Sequence, residues 1–207
     1  MIEDQFVKDL EEAQRLFPSL EYDYLPNKRF VHKLTGTFDI IDGEENHWGA
    51  FSASLYFTDY YPKGFALLQD NSKAFPWDLN WHIDEKTGLC CVCGPIEREE
   101  RAAKSISILG FIEAYVIPFY ANQIHKNEFG FYKNGEYAHF KEGIWEALEE
   151  EFGTSDRKII TLLLNQMHSK RGRNEVCFCG SGIKFKKCHM NRIPYIEAGA
   201  KQISLDK

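Results

Sequence analysis

The stretch FSASLYF, residues 51–57, shows most directly what kind of fold this chain adopts. Phe51, Ala53, Leu55 and Phe57 alternate with small or polar residues. This alternation is typical of a β-strand with one face in a hydrophobic core and the other face half-exposed. The sequence therefore predicts a strand at residues 51–57.

Two further runs on either side of it have the composition of strands. Residues 30–41 are rich in β-branched and aromatic residues and end at Asp42-Gly43, a pair that favours a turn. Residues 65–68 form a shorter apolar run. Because the connections between these runs are short, we expect an antiparallel β-meander.

Helical spacing of apolar residues occurs before and after the predicted sheet. Four segments show it: residues 2–17, 108–119, 140–152 and 159–167. Pro118 is expected to kink or interrupt the second of these helices, and Thr154 or Ser155 to cap the fourth. Strands and helices together predict an α+β fold.

Charge is distributed unevenly along the chain, whose formal net charge is −6. Residues 157–207 contain 11 Lys and Arg against 3 Asp and Glu, whereas residues 1–156 contain 14 against 28. The acidic body argues against wholesale wrapping of nucleic acid, while the basic C-terminal part could hold an acidic partner or dock on the chain's own body.

The chain also lacks the apolar segments that membranes and secretion require. No apolar run approaches the roughly 20 residues of a membrane span. The N-terminal stretch MIEDQFVKDLEE is acidic, unlike a secretory signal. We therefore expect a cytoplasmic protein, in which closely spaced cysteines indicate thiol chemistry or metal binding in preference to disulfides.

The most specific chemical pattern is CFCGSGIKFKKCH, residues 177–189. Cys177, Cys179, Cys188 and His189 offer three thiolates and one imidazole, a donor set that suits tetrahedral Zn²⁺. The Gly-Ser-Gly turn allows backbone N–H groups to approach the sulfur atoms. A segment this short cannot bury a core, so we expect metal to supply its folding free energy. The alternative is three buried cysteines and a surface histidine, but the intervening lysines leave little apolar surrounding for burial.

The same segment resembles the SEC-C motif. Gly172-Arg173-Asn174, the Cys-x-Cys-Gly-Ser-Gly run and the final Cys-His follow the motif, with Val176 and Phe178 where prolines are common. The resemblance covers about 20 residues and implies a zinc-binding appendage found on unrelated proteins. Its basic face implies contact with protein, anionic lipid or nucleic acid.

The stretch NWHIDEKTGLCCVCG, residues 80–94, holds the other three cysteines. Three interpretations are open. His82 and the cysteines could form a second metal site, the cysteines could be small buried hydrophobic residues on a strand, or one cysteine could be a nucleophile with polar groups nearby.

The third interpretation is favoured by a resemblance to the ubiquitin-conjugating (UBC-like) fold. The predicted order of helix and meander, the pair Tyr61-Pro62 and the run HIDEKTGLCCV at residues 82–92 carry this resemblance. Gln123 and the run GEYAH at residues 135–139 resemble the bacterial branch of the family. It implies a UBC-like domain with the meander flanked by helices.

The resemblance places Cys91 at the nucleophile position. The family's His-Pro-Asn triplet is absent and Trp81-His82-Ile83-Asp84 stands in its place, so Asn80 or His82 would stabilise the oxyanion. A shift of one residue in strand register would exchange Cys90 and Cys91.

The resemblance implies a bacterial ubiquitin-conjugating-like transferase. Its partner would be a ubiquitin-like protein or a cGAS-like nucleotidyltransferase, with an activating enzyme, in antiphage defence. The alternative is a non-catalytic SEC-C adaptor that binds zinc. The predicted organisation is a UBC-like domain over 1–153, a connecting helix and linker over 154–171, a zinc knuckle over 172–192 and a tail over 193–207.

Overall fold

The computed structural model describes residues 2–26, 28–133 and 135–204, so the last three residues of the predicted tail lie outside the described residues. The chain forms two compact units. The first comprises Met1–Cys93 and Arg101–Glu136, and the second comprises Gly94–Glu100 and Tyr137–Lys207. Each unit has its own hydrophobic core.

The first unit contains a four-stranded antiparallel sheet whose strands follow chain order. The strands are β1 (Glu21–Tyr24), β2 (Phe30–Ile41), β3 (His47–Thr58) and β4 (Leu67–Asp70). This confirms the antiparallel meander within an α+β fold. β4 begins two residues later than predicted. β1 was not predicted; it is only four residues long, and all four residues are exposed.

One face of the sheet forms the core of the first unit. Leu34 pairs with Leu55 and Phe38 with Phe51 across β2 and β3, and all four side chains are buried. These buried residues include apolar positions of the alternating pattern that predicted β3. The helix α1 (Ile2–Leu16) contributes three buried side chains to the same core: Phe6, Leu10 and Ala13.

A long helical segment follows in the same unit. It consists of α3 (Ile108–Phe111), a π-helical stretch (Ile112–Val116) and α4 (Ile117–Phe129). The sequence predicted a kink or an interruption at Pro118, and the regular α-helix is interrupted by the π-helical stretch, which ends two residues before the proline. Pro118 has no N–H to donate and its ring would clash with a regular preceding turn, so the π-helical turn accommodates it.

The second unit is helical. α2 (Pro95–Ala103) begins in it, and α5 (Phe140–Phe152), α6 (Arg157–Gln166) and α7 (Ile193–Ser204) are its other described α-helices, with the C-terminal cysteine segment between α6 and α7. α5 has the predicted bounds. The expectation of a Thr154 or Ser155 cap for α6 was wrong: Asp156 directly precedes the helix, and its carboxylate accepts hydrogen bonds from the N–H groups of Lys158 and Ile159 at 2.9 and 3.3 Å.

The units divide the chain differently from the boundary predicted at residue 153. α5 lies in the second unit, because Ile144 and Leu148 share a core with Ile160 and Ile196. An apolar stripe shows that a helix packs against something, but it does not show which core. No described helix is both long enough and apolar enough to cross a membrane.

Candidate functional site

The C-terminal cysteine segment brings four ligand atoms together. The Sγ atoms of Cys177, Cys179 and Cys188 and a ring nitrogen of His189 lie within 4.8 Å of one another. Nδ1 of His189 is 3.3 Å from Cys177 Sγ and 3.1 Å from Cys188 Sγ, and the Sγ atoms of Cys179 and Cys188 are 3.6 Å apart. Tetrahedral zinc at its usual bond lengths separates such ligands by roughly 3.5–3.8 Å. The four predicted ligands therefore fit one metal ion.

The backbone explains how these residues converge. Gly180 and Gly182 have φ of 78° and 75°, a left-handed conformation that side chains disfavour, and they turn the chain back after Cys179. The N–H of Cys177 then donates to Ile183 O at 2.8 Å. A short 3₁₀ turn over Phe185–Lys187 returns Cys188 to the other ligands.

His189 is buried between two aromatic side chains. Its ring centroid lies 5.4 Å from that of Phe152 and 5.2 Å from that of Phe178. Phe178 occupies a position where the motif commonly has proline, and here it also belongs to the core of the second unit. The alternative of a surface histidine does not describe this residue.

The thiols of the cluster influence one another's ionisation. Burial opposes ionisation of Cys179, but hydrogen bonds with Ser181, whose Oγ is 3.2 Å away, and with the neighbouring thiols outweigh it and lower the pKa of Cys179 to about 6. Burial, together with contacts to Cys179 and Cys177, raises the pKa of Cys188 to about 11. Ionisation of the first thiol therefore makes ionisation of its neighbours less favourable, because like charges repel. A bound cation would offset this repulsion.

The central cysteines are held differently, in an extended backbone. Cys90 pairs with Ile83 in an isolated antiparallel bridge, and its N–H donates to Leu68 O at 2.8 Å. The N–H of Cys91 donates to His82 O, also at 2.8 Å. Because neighbouring residues of an extended chain point to opposite sides, the two side chains diverge.

The two adjacent thiols consequently have different environments. Cys91 is exposed, whereas Cys90 packs against the core of the first unit. Burial, and then the charge of Asp70, raise the pKa of Cys90 well above its ordinary value. Of this pair, Cys91 is the more exposed thiol. In the described parts of the chain the central cysteines belong to no cluster of three or more converging metal-ligand atoms.

A buried carboxylate fixes the loop that leads to these cysteines. Asp70, at the end of β4, is fully buried. It accepts hydrogen bonds from Trp77 Nε1 at 2.7 Å, Tyr120 Oη at 2.9 Å, Ser72 Oγ at 2.6 Å and the N–H of Lys73 at 3.0 Å. These bonds connect the sheet, the loop and α4, and they supply the partners that a buried charge requires.

His82 ends a 3₁₀ turn over Leu79–Trp81 in a left-handed conformation, with φ of 52° and ψ of 33°. Its side chain is 15% exposed, and Nε2 lies 3.0 Å from Oε2 of Glu136. The same carboxylate oxygen is 3.8 Å from Lys126 Nζ. Glu136 thus fixes the orientation of the imidazole of His82, whose backbone carbonyl accepts from the N–H of Cys91.

Asn80 lies within the same turn and is exposed. Its carbonyl oxygen accepts a hydrogen bond from Lys126 Nζ and lies 3.3 Å from Tyr132 Oη. Gln123 Nε2 donates to the carbonyl of Trp81 at 3.1 Å. The structure therefore brings Asn80, His82 and Cys91 to one loop region.

Three residues that support this region had no role assigned from the sequence. Lys126 is three positions after Gln123, so helical spacing alone could have placed both on one face of α4. Burial raises the pKa of Tyr132 to about 12, so its hydroxyl stays protonated. Glu136 lies in the GEYAH run, but its contact with His82 joins residues 54 apart in sequence, which no local pattern predicts.

Comparison with known proteins covers only the C-terminal segment. Residues 173–191 match the SEC-C motif, and the four clustered ligands lie inside this match. No curated protein and no solved structure matches the chain. The C-terminal segment is therefore a SEC-C motif whose Cys₃His cluster is compatible with a metal ion.

Proposed function

We propose that the chain is a bacterial, cytoplasmic acyltransferase of the ubiquitin-conjugating type. In this proposal Cys91 forms a thioester with the C-terminus of a partner protein, and a zinc-loaded SEC-C motif recruits other proteins. The observation that carries the proposal is the contrast between two adjacent thiols, since Cys91 is exposed and Cys90 is partly buried against the core.

The order of elements in the first unit supports this proposal. The resemblance implies an N-terminal helix, an antiparallel meander, a Tyr-Pro pair, a histidine-containing turn, the cysteine and later helices. The first unit has α1, β1 to β3, Tyr61-Pro62, β4, His82, Cys91 and the α3–α4 segment in that order, so that only the last strand of the meander comes after the Tyr-Pro pair. Tyr61 is buried; it donates to the carboxylate of Asp9 and accepts from the N–H of Ile108 at 3.1 Å, which links α1 to α3.

The proposed chemistry is nucleophilic acyl transfer in two steps. The Cys91 thiolate attacks the carbonyl carbon of an activated C-terminus, forming the S–C bond as the activating group leaves with its electron pair. An amine or water then attacks the thioester, and the Cys91 thiolate leaves. Polar groups at Asn80 or His82 would stabilise the oxyanion of either step, and Glu136 would keep the His82 ring in place; one such donor is typically worth about 2.7–4 kcal/mol.

The partners in this proposal come from the resemblance. They are a ubiquitin-like protein or a cGAS-like nucleotidyltransferase as the acyl donor, together with an activating enzyme, in antiphage defence. The basic charge of residues 157–207 supports recruitment of an acidic protein surface.

Zn²⁺ is the metal that the C-terminal cluster suits best. Three thiolates and one imidazole in tetrahedral arrangement are the donor set of structural zinc sites. Bound zinc would cross-link Cys177, Cys179, Cys188 and His189 and so stabilise the segment, and the proposed chemistry at Cys91 does not involve it.

The decisive experiment compares Cys91→Ser with Cys90→Ser in the native host. A serine at position 91 would form an oxygen ester that resists thiol reductants, so mass spectrometry should find the adduct trapped at this position. The Cys90→Ser variant should keep a reductant-sensitive adduct on Cys91, and Cys91→Ala should have none. An adduct that persists in Cys91→Ala would refute the assignment.

A non-catalytic zinc-binding adaptor is the second candidate, and the SEC-C match is the observation that favours it. Thiol labelling of the zinc-loaded protein separates the two functions. Fast alkylation of Cys91 alone among the central cysteines supports the transferase, whereas three inert central thiols support the adaptor.

A further inference from the structure

The two ring nitrogens of His189 face different parts of the second unit. Nδ1 points to the sulfur atoms of Cys177 and Cys188. Nε2 lies 3.3 Å from the carbonyl oxygen of Glu151 and 3.5 Å from its carboxylate Oε1. A histidine that binds a metal through one nitrogen carries its proton on the other, and that proton needs an acceptor. Glu151 offers two.

The backbone acceptor exists because Glu151 lies in the last turn of α5. The last four carbonyls of a helix have no partner within the helix. The N–H groups of Gly153 and Thr154 both bond to the carbonyl of Glu149, so they do not use that of Glu151. The negative end of the helix dipole at this position also favours a nearby cation.

The carboxylate acceptor is held in place from its other side. Arg192 Nε and Nη2 donate to Oε1 and Oε2 of Glu151, each at 2.5 Å, and Nη1 donates to Glu100 Oε2 at 2.9 Å. The Glu151 side chain is only 9% exposed. A two-point Arg–carboxylate contact fixes both groups more firmly than a single contact does.

We infer that Glu151 is a positioning residue of the metal site, and that through it the SEC-C motif and α5 form one metal-dependent structure. Glu151 keeps the proton of His189 on Nε2 and leaves Nδ1 free to ligate. By accepting this proton in a hydrogen bond, the Glu151 carboxylate also makes Nδ1 more basic and therefore a stronger metal ligand. Groups in this role typically account for a 10- to 100-fold difference in metal affinity. The inference rests on the zinc assignment above and is independent of the chemistry at Cys91.

The test measures zinc affinity of the full chain by competition with a chromogenic chelator. Glu151→Ala should bind zinc about 10- to 100-fold more weakly than wild type. The matched control is Glu149→Ala, in the same helix two residues earlier, where the side chain lies 3.7 Å from Arg157. The control should bind zinc as wild type does.

Two further measurements keep the inference falsifiable if Glu151→Ala does not fold. Glu151→Gln keeps the side-chain length and one oxygen acceptor but loses the charge, so its affinity should lie between those of wild type and Glu151→Ala. Nitrogen-15 spectra of zinc-loaded wild type should show His189 protonated at Nε2. Wild-type affinity in Glu151→Gln, or zinc on Nε2, overturns the inference. Wild-type protein that binds no zinc refutes the zinc assignment itself.

Discussion

The two groups of cysteines differ in how the backbone arranges their side chains. Cys90 and Cys91 are adjacent, yet their side chains diverge because an extended backbone points neighbours to opposite sides. Cys177 and Cys188 are 11 positions apart in the sequence but converge, because Gly180 and Gly182 turn the chain back. Closeness in sequence therefore indicates a metal site only where the backbone between the ligands can turn.

The two regions also differ in what holds them in place. The central loop is fixed by ordinary hydrogen bonds to Asp70, Gln123 and Lys126. In the C-terminal segment, three thiols and an imidazole face one another and suit a cation. We expect the first region to be independent of metal and the second to depend on it.

Removing a metal ligand should have the largest effect. Cys177→Ser should weaken zinc binding by more than about 100-fold, because the loss of a ligand exceeds the loss of a residue that only supports one. Hydrogen exchange should then become faster in α5 and α7 and stay unchanged in β2 and β3. Cys93→Ser is the control and should keep zinc. Equal acceleration in both units would contradict the proposed difference.

Removing the buried carboxylate should damage the other region. Asp70→Ala removes the acceptor of Trp77 Nε1 and of Ser72 Oγ, and it leaves Tyr120 Oη only the more distant carbonyl of Ser52, at 3.4 Å. Each unsatisfied buried group costs about 1–3 kcal/mol, so we expect a loss of about 3 kcal/mol. Urea denaturation measures it, and alkylation of Cys90 should become faster. Asp39→Ala, an exposed aspartate on β2, should change stability by less than about 0.5 kcal/mol. Unchanged zinc affinity in both variants would confirm that the regions are independent.

The sequence predicted the parts of both sites that depend on local pattern. Alternation at residues 51–57 located β3, and the Cys-x-Cys and Cys-His spacing located all four residues of the Cys₃His cluster. Which of Cys90 and Cys91 packs against the core could not be predicted, since it depends on which side of an isolated bridge faces the core. Contacts across long sequence separation, such as Glu151 with Arg192 and His82 with Glu136, leave no periodic signal.

The SEC-C segment shows the same limit. Its small size predicted that it has no core of its own, but Phe178 and Phe185 are buried with side chains of α5 and α6. The core of the helices therefore contributes to the stability of the segment, which the sequence had assigned to a metal alone. Nothing within the 20 residues of the motif could reveal this shared core.

A glycine substitution sharpens the account of the central loop. Gly88 has φ of 71°, and a Cβ there would lie 2.6 Å from the Trp77 ring and 2.9 Å from the carbonyl oxygen of Asp70. Gly130 has a similar φ of 82°, but nothing lies within 4 Å of its Cβ position. Gly130→Ala should cost about 1 kcal/mol for backbone strain, and Gly88→Ala about 2–4 kcal/mol because overpacking adds to the strain. Equal losses in urea denaturation would show that the loop can shift to make room.

Removal of the N-cap of α6, in the second unit, should have the smallest effect on stability. Asp156→Ala removes the N-cap of α6 and should cost about 1 kcal/mol, whereas Ser155→Ala, at an exposed neighbour outside the helix, should cost less than about 0.5 kcal/mol. The cap acts on the first turn of α6 and needs no ligand atom. If the shared core holds the helices together in zinc-free protein, the thermal unfolding midpoint should fall by the same amount with and without zinc. A difference between the two variants that exists only in zinc-loaded protein would mean that α6 itself folds only when the metal is bound.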